Sequence, residues 1–289
     1  MMKICLFQNL FDILRGKKRV HITVSLEKKE RKRHLYKIPW FLRHKVDRLT
    51  DGALISRDRK ALERISKKYE KTKEHSFYED VTDWSYENVM PVRYKNQMEF
   101  LQEDFIPLLK KTDALCDFGC ASGEFSFMML PYVNEVDGYD FSEKMIETAQ
   151  KKAHEKNLEN IRFRFGNATD MKLDKQYDAF SLLGVLCYIF DDALCQKAVY
   201  CISDHLKTGG YCVYKDNSNE TKNDFFVSNP LNDYQCAVRS RKKIFSFFKN
   251  AGFKLVKTRD LDRFDVNTEN GKKLYTSAPM IALFVKERL

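Results

Sequence analysis

The sequence contains no C-x-x-C pair and no cluster of histidine and cysteine residues at the spacing of metal ligands. This absence argues against a zinc site, and we expect no bound metal. The eight cysteines are scattered, and several lie in apolar runs, where cysteine behaves as a small hydrophobic residue. Such usage is typical of reduced thiols in a cytoplasmic protein.

Also missing is any apolar run long enough to span a bilayer, and nothing in the chain has the order of a secretory signal. The N-terminal end is nevertheless amphipathic, because five apolar side chains would share one helical face: Ile4, Phe7, Leu10, Phe11 and Leu14. The basic run Arg15–Arg19 follows them. Residues 1–19 therefore predict either a helix on an anionic membrane surface or a helix packed on its own domain or a partner subunit.

Acidic residues are scarce near the N-terminus. Residues 1–75 hold 22 Lys and Arg against 9 Asp and Glu, which leaves 29 of the 51 basic and 32 of the 41 acidic residues for the rest. We interpret residues 1–75 as a basic helical extension with breaks near Pro39 and Asp51-Gly52. Such a segment could bind nucleic acid, an anionic membrane or an acidic glycan, or its charges could simply face solvent. Residues 76–110 predict a lid or linker, with a helix beginning near Pro91.

From residue 111 onwards, short apolar strands alternate with helical segments. Strands are predicted at 114–119, 135–142, 161–168, 177–189, 210–217 and within 252–261 and 279–287, with helices at 123–133, 142–157, 191–206 and from 241. This rhythm predicts an α/β fold with a Rossmann-like, doubly wound, seven-stranded sheet, whose ligands bind beyond the carboxyl ends of the strands.

The last two predicted strands are separated only by residues 262–278, which are rich in turn-forming residues. Such a stretch is too short for a crossover helix, so we expect the two strands to pair antiparallel. Residues 111–289 are accordingly assigned to one domain whose last strand is antiparallel.

A glycine turn, DFGCASGEF at residues 117–125, follows the first predicted strand. A dinucleotide-binding turn needs the spacing G-x-G-x-x-G, but counted from Gly119 these positions hold glycine, Ala121 and Glu124. Glu124 would place a carboxylate where the pyrophosphate should lie. Charge repulsion therefore disfavours a dinucleotide.

The pattern Asp117-x-Gly119-x-Ala121-x-Gly123 instead resembles the first motif of class I S-adenosylmethionine-dependent methyltransferases. Asp140, about twenty residues on, matches the family's acid that accepts both ribose hydroxyls. FGNATDM at residues 165–171 is similar to the segment that contacts the adenine, although the family usually has Asp where this chain has Asn. The resemblance covers about residues 100–289 and implies S-adenosylmethionine as cofactor and S-adenosylhomocysteine as product.

The resemblance also implies a set of cofactor-binding residues. These are Asp117, Gly119, Cys120, Ala121 and Gly123 in the first turn, Asp140 and Phe141 after the second strand, Asn167 and Ala168 after the third, Gly184 after the fourth, and Arg93 before the sheet. Asp117 is expected at the amino-acid end of the cofactor, and Arg93 is expected to pair with the cofactor's carboxylate.

Methyl transfer is an in-line displacement, and a base is required only when the acceptor is a hydroxyl or a protonated amine. Small-molecule members of the family often carry His in the loop after the fourth strand, but here that loop is Leu186-Cys187-Tyr188-Ile189. Two candidates for the catalytic base are Tyr188 and Asp216. Should the segment before the sheet cover the site, His75 and the tyrosines Tyr78, Tyr86 and Tyr94 are further candidates.

Two further patterns bear on the acceptor. The tail with YKDN at residues 214–217, then Asp233, Arg239 and NAGF, is similar to protein α-N-terminal methyltransferases, but that family has His in place of Tyr188, so we infer shared architecture only. Methyltransferases of nucleic-acid bases carry N/D-P-P-Y/F after the fourth strand, where this chain has LGVL at residues 183–186. Base methylation is thus disfavoured, whereas RNA ribose methylation stays open.

The sequence therefore predicts a cytoplasmic methyltransferase, which would be peripheral at the inner face of the membrane if residues 1–19 bind lipid and not a protein surface. Its expected acceptor is a hydroxyl of a sugar, of a lipid-linked or surface glycan, or of a small molecule. A protein or RNA methyltransferase is the alternative enzyme, and an S-adenosylmethionine-binding regulatory or scaffold subunit is the alternative without catalysis. Nothing in the sequence indicates the oligomeric state.

Overall fold

Strands and helices alternate along the chain from residue 114, as the apolar pattern predicts. The computed structural model describes residues 46–49, 53–69, 90–229 and 234–287. The strands are β1 (Val46–Arg48), β2 (Leu54–Ser56), β3 (Ala114–Phe118), β4 (Glu135–Asp140), β5 (Ile161–Phe165), β6 (Tyr177–Leu183), β7 (Leu206–Asp216), β8 (Ser218–Asn219), β9 (Phe225–Asn229), β10 (Tyr234–Ser240), β11 (Phe253–Asp260), β12 (Phe264–Asn267), β13 (Lys273–Ser277) and β14 (Met280–Lys286).

Several of the helices begin at residues suited to capping. They are α1 (Arg59–Tyr69), α2 (Pro91–Phe100), α3 (Glu124–Met129), α4 (Glu143–Glu155), α5 (Asp192–His205) and α6 (Arg241–Asn250). The side chain of Ser142 accepts a hydrogen bond from an amide of the first turn of α4, and Asp191 does the same for α5. Pro91 occupies the first position of α2, where its missing N–H costs nothing.

Seven strands form the first sheet in the order β11-β14-β7-β6-β3-β4-β5. The strands from β3 to β7 pair in parallel, whereas β14 runs antiparallel to both β7 and β11. The prediction of a Rossmann-like α/β fold with a reversed last strand is confirmed. The carboxyl ends of β3, β4, β6 and β7 lie at one edge, where a ligand of such a sheet binds.

Apolar side chains cover both faces of this first sheet. The central strand β3 is buried almost throughout, as expected of a parallel strand with helices on both sides. On one face Phe248 of α6 stacks on Phe284 of β14, with ring centroids 4.0 Å apart. On the other face Phe100 of α2 and Met129 of α3 are fully buried. This packing fixes the strand ends that form the site.

A second seven-stranded sheet has the order β1-β2-β9-β10-β8-β13-β12. Its strands come from three separate stretches of the chain, and among the described residues only the short pairing of β10 with β8 is parallel. It has an apolar cluster of its own, in which Phe225 stacks on Tyr275 at 4.2 Å between centroids.

Three local predictions are wrong. Part of the supposed helical extension is the strand pair β1–β2, because buried Leu54 and Ile55 pair with β9 instead of joining a helix. The stretch 262–278, predicted as turns, contains β12 and β13. The helix after the glycine turn ends at Met129 instead of Val133, since Pro131 lies in a 3-10 turn, Leu130–Tyr132.

Candidate cofactor and acceptor site

The turn between β3 and α3 is built from residues in left-handed backbone conformations. Gly119, Ala121 and Gly123 have φ angles of 75°, 47° and 84°. A Cβ atom on Gly119 would lie 2.3 Å from a methyl carbon of Val185, so only glycine fits there. The amides of Gly119 and Cys120 both donate to the carbonyl of Tyr139, at 2.7 and 3.1 Å. The turn is therefore held against the end of β4.

Asp140, the last residue of β4, is locked beside this turn. Its two carboxylate oxygens each accept a hydrogen bond of 2.9 Å, one from the Ala121 amide and the other from the Ser142 amide. Burial raises the pKa of this carboxyl, and the backbone hydrogen bonds oppose the rise. Each oxygen keeps a further lone pair, so the fixed carboxylate can accept from two adjacent hydroxyls.

Asp117 lies beneath the turn and is almost fully buried. One of its oxygens accepts from the Ser126 hydroxyl at 2.6 Å and the other from Ser181 at 2.5 Å, which ties β3 to α3 and β6. Burial raises the pKa of Asp117 to about 6, although both serine hydrogen bonds act to lower it. The sequence pattern found this acid but not its serine partners.

A cleft of about 670 Å³ opens beyond β4 and β5 and includes Asn167 in its lining. The side-chain oxygen of Asn167 accepts from the amide and the hydroxyl of Thr169, both at 2.9 Å. Ala168 is half-buried against the core, and Phe141 is 54% exposed. The residues expected around an adenine therefore lie at one end of the sheet, with an aromatic ring open to a ligand.

The loop after β6 lies on the opposite side of the glycine turn. Gly184 has a φ of 78°, and its amide donates to the Lys215 carbonyl at 2.7 Å. Buried Asp216 accepts from the Cys187 amide at 2.8 Å, and burial raises its pKa. Tyr188 is 39% exposed. Asp216 thus holds the loop, whereas Tyr188 is accessible.

Two basic side chains lie near this loop. Arg93 of α2 is 9% exposed, and its Nη1 contacts the Asn217 side-chain oxygen at 3.4 Å. Lys215, at the end of β7, was not predicted as a site residue. Burial lowers the pKa of its ammonium to about 8. The only feature of the sequence that pointed to Lys215 was its position at the end of an apolar strand, directly before the predicted site residue Asp216.

Some predicted residues fall outside the described ranges, namely His75, Tyr78, Tyr86 and Asp233, together with the amphipathic segment 1–19. Tyr94 lies on α2 and is half-buried. Across the part of the chain that the structure describes, no three His, Cys, Asp or Glu side chains form a group that would hold a metal ion. Among the same residues, no helix is long and apolar enough to cross a membrane.

Comparison with known proteins agrees with this geometry. Residues 109–252 match the model of a methyltransferase domain family. The uncharacterized methyltransferase YcgJ of Bacillus subtilis (strain 168) is 29% identical over 125 residues, which are 40% of this chain and 48% of that protein. The chain thus spans about half the length of this curated relative.

Solved structures share the fold at low identity. One is an S-adenosylmethionine-dependent methyltransferase from Clostridium acetobutylicum ATCC 824, with a TM-score of 0.52 and 17% identity over 71% of this chain and 94% of that one. Another is the [4+2]-cyclase SpnF, with a TM-score of 0.52 and 13% identity over 66% of this chain and 81% of that one. Likeness at this level shows the fold, and activity must be argued from the site.

The fold and the site define a Rossmann-like domain of the methyltransferase class. With the family match, residues 109–252 form a methyltransferase domain, and the motifs within it resemble those of class I S-adenosylmethionine-dependent methyltransferases. The observed side chains fit that cofactor. The left-handed turn packs Gly119 against Val185 where no Cβ fits, and the Asp140 carboxylate beside it suits the two hydroxyls of a ribose. Neither feature needs a phosphate to complete it.

Proposed function

We propose that the protein transfers the methyl group of S-adenosylmethionine to an acceptor. The observation that carries this proposal is the Asp140 carboxylate, held by two backbone amides beside the left-handed turn. S-adenosylmethionine, when bound, supplies a methyl group on a positively charged sulfonium. The protein then acts mainly by alignment, because an in-line displacement needs the acceptor atom at near-attack distance behind the methyl carbon.

The acceptor we propose is a hydroxyl of a sugar, a glycan or a small molecule. Its oxygen bonds to the methyl carbon as the carbon–sulfur bond breaks, and its proton passes to a base. Of the described candidates, Tyr188 is accessible, whereas the Asp216 oxygens accept from the Cys187 and Asn217 amides. Tyr188 is therefore the better placed to meet an acceptor, and Asp216 positions the loop that carries it.

Binding and turnover test the proposal in sequence. Calorimetry should show binding of S-adenosylhomocysteine and none of NAD. Asp140→Ala should weaken the binding at least about 100-fold, because two hydrogen bonds to a charged group are lost. NAD binding, or an unchanged affinity in the variant, would overturn the assignment of the site.

Radiolabelled methyl transfer into a lysate then identifies the acceptor pool. Label in the glycan or small-molecule pool supports the proposed acceptor, whereas label in protein or RNA supports the alternative enzyme. Tight binding of S-adenosylhomocysteine with no label in any pool would favour a regulatory or scaffold subunit. Asp140→Ala serves as the control that should lose label in every pool.

We further propose that the protein is peripheral at the inner face of a membrane, a proposal that rests on the sequence of residues 1–19 alone. Full-length protein should sediment with anionic liposomes at low salt, and removal of these residues should abolish sedimentation. Equal behaviour of the two forms would refute it.

A further inference from the structure

Arg93 is a buried cation with incomplete partners. Among the described residues its Nε has no hydrogen-bond partner, and its ion pair with Asp262 is long, at 3.6 Å. Its Nη1 donates to the sulfur of Met90 at 3.3 Å and to the Asn217 oxygen at 3.4 Å, and neither of these acceptors carries a charge. The ring of Phe264 is 5.2 Å from the guanidinium carbon. Since buried polar groups are nearly always satisfied, this guanidinium calls for an acceptor.

Gln97 shows the same deficiency one helical turn further along α2. It is 7% exposed, and within the described part of the chain its buried side-chain oxygen has no hydrogen-bond partner. Residues four apart share a helix face, so Arg93 and Gln97 lie on the same face of α2. That face therefore carries a donor and an acceptor whose hydrogen bonds the described residues leave unmade.

Lys215 adds a second positive charge. Its ammonium nitrogen lies 3.9 Å from where a Cβ of Gly184 would be, so it sits beside the loop after β6. Arg93 Nη1 contacts the side chain of Asn217, two residues after Lys215, so both cations lie at the carboxyl end of β7. Consistent with this placement, the charge of Arg93 lowers the pKa of Lys215, whereas those of Asp216, Cys187 and Glu124 raise it.

Contacts place the two cations between the loop after β6 and the second sheet. The Lys215 ammonium lies beside Gly184 of that loop. The guanidinium of Arg93 lies over the ring of Phe264, the first residue of β12. A group bound by both cations would therefore lie on the side of the glycine turn away from Asp140.

We propose that Arg93, Lys215 and Gln97 bind the methyl acceptor through a carboxylate with a neighbouring hydroxyl, so that the acceptor is an acidic sugar or another hydroxy acid. The carboxylate accepts from Arg93 and Lys215 and relieves their repulsion, while the hydroxyl donates to the Gln97 oxygen. This inference rests on the proposed function, because it names the acceptor of the same site.

The test uses glycolate, acetate and glycolamide, which are similar in size. Acetate lacks the hydroxyl of glycolate, and glycolamide keeps the hydroxyl but lacks the negative charge. Each is titrated into the full-length protein loaded with S-adenosylhomocysteine, and the lysine side-chain NMR signals are followed. Glycolate should shift the Lys215 signal saturably, acetate should bind several-fold more weakly, and glycolamide should not bind. No saturable shift with glycolate, or an equal shift with glycolamide, overturns the proposal.

The same titration distinguishes the acceptor from the cofactor as the source of the carboxylate. If Arg93 and Lys215 hold the methionine carboxylate of the cofactor, glycolate will bind the protein loaded with 5′-methylthioadenosine but not the protein loaded with S-adenosylhomocysteine. That outcome overturns the acceptor subsite. Binding in both loaded forms supports it.

Variants locate the binding within the site. Arg93→Gln and Lys215→Met should each weaken glycolate at least about tenfold, and Gln97→Leu should remove only the preference for glycolate over acetate. Lys254→Met, at an exposed position of β11, is the matched control and should change nothing. Arg93→Lys keeps the positive charge and should retain part of the affinity for glycolate. This variant therefore distinguishes the loss of a charge in Arg93→Gln from a failure to fold.

Fractionation of radiolabelled products by anion exchange links binding to turnover. Label in products that the exchanger retains supports the acidic acceptor, and label in neutral products overturns it while leaving methyl transfer intact. Absence of label from all fractions counts against the proposed function, whereas the glycolate titration still decides the subsite.

Discussion

The two sheets differ in how the chain forms them. The first sheet takes consecutive strands joined by helices, so each parallel pairing follows from a short local unit. The second sheet gathers short strands from residues 46–56, 218–240 and 264–277. Its pairings depend on distant parts of the chain. The first sheet provides the cofactor turn, and the second provides residues beside Arg93, so the two halves of the site have different structural origins.

Arg239 joins the two sheets, and its replacement should have the largest effect. From β10 it donates to the Leu186 carbonyl at 2.8 Å, to the Ile189 carbonyl at 2.5 Å and to the Asp192 carboxylate at 2.9 Å. Arg239→Met keeps the bulk but leaves buried carbonyls without donors, so we expect a loss of about 3 kcal/mol in urea unfolding. Hydrogen exchange should quicken first in β9 and β10.

The control is Arg263→Met, which removes surface ion pairs to Glu220 and Asp260. Exposed pairs contribute about 0 to 1 kcal/mol, so this change should be small. Equal losses in the two variants would show that the second sheet does not depend on Arg239.

The position of the glycine turn could be predicted because pattern and strand ends coincide there. Asp117 and Asp140 lie at the ends of buried strands, Gly119 and Gly123 lie in the turn after β3, and the structure brings all four to one edge. Their roles toward a cofactor stay predictions. The second sheet was missed because two-residue β8 and three-residue β2 are too short to show a period, and their partners are remote. Lys215 was missed for another reason. A lysine in a strand is ordinary in sequence, and only the fold shows that it is half-buried beside Gly184.

Glycines with the same backbone conformation in the two regions provide the next comparison. Gly119 and Gly271 have φ angles of 75° and 78°, but a Cβ would strike Val185 only at Gly119, and it would meet nothing within 4 Å at Gly271. Gly271→Ala should therefore cost about 1 kcal/mol for the left-handed backbone alone. Gly119→Ala should cost about 2 to 3 kcal/mol, because overpacking is added.

The double variant Gly119→Ala with Val185→Ala measures the steric clash between the added Cβ and the Val185 side chain. Removal of the Val185 methyl groups should recover part of the stability lost at Gly119, and thermal unfolding of both single variants and the double variant gives the coupling. Strict additivity would mean that the close approach of β3 and the loop after β6 does not constrain the turn.

The last expected effect concerns Asp117 and depends on pH. Its pKa is about 6 in the folded protein against about 3.8 when exposed, so between these values the native state binds more protons than the unfolded state. This group therefore reduces stability as pH rises from about 4 to 6. Asp117→Asn cannot ionise, and it should gain about 2 kcal/mol relative to the wild type between pH 4 and pH 7.

Urea unfolding of wild type and Asp117→Asn across this range makes the measurement, and Ser181→Ala supplies the check on its cause. Because the Ser181 hydroxyl lowers the pKa of Asp117, its removal should extend the loss of stability to higher pH. That result would show that serine side chains of β6 and α3 stabilise the ionised carboxylate of Asp117 in the first sheet. A difference between wild type and Asp117→Asn that does not change with pH would show that Asp117 keeps the same charge in the folded and unfolded states.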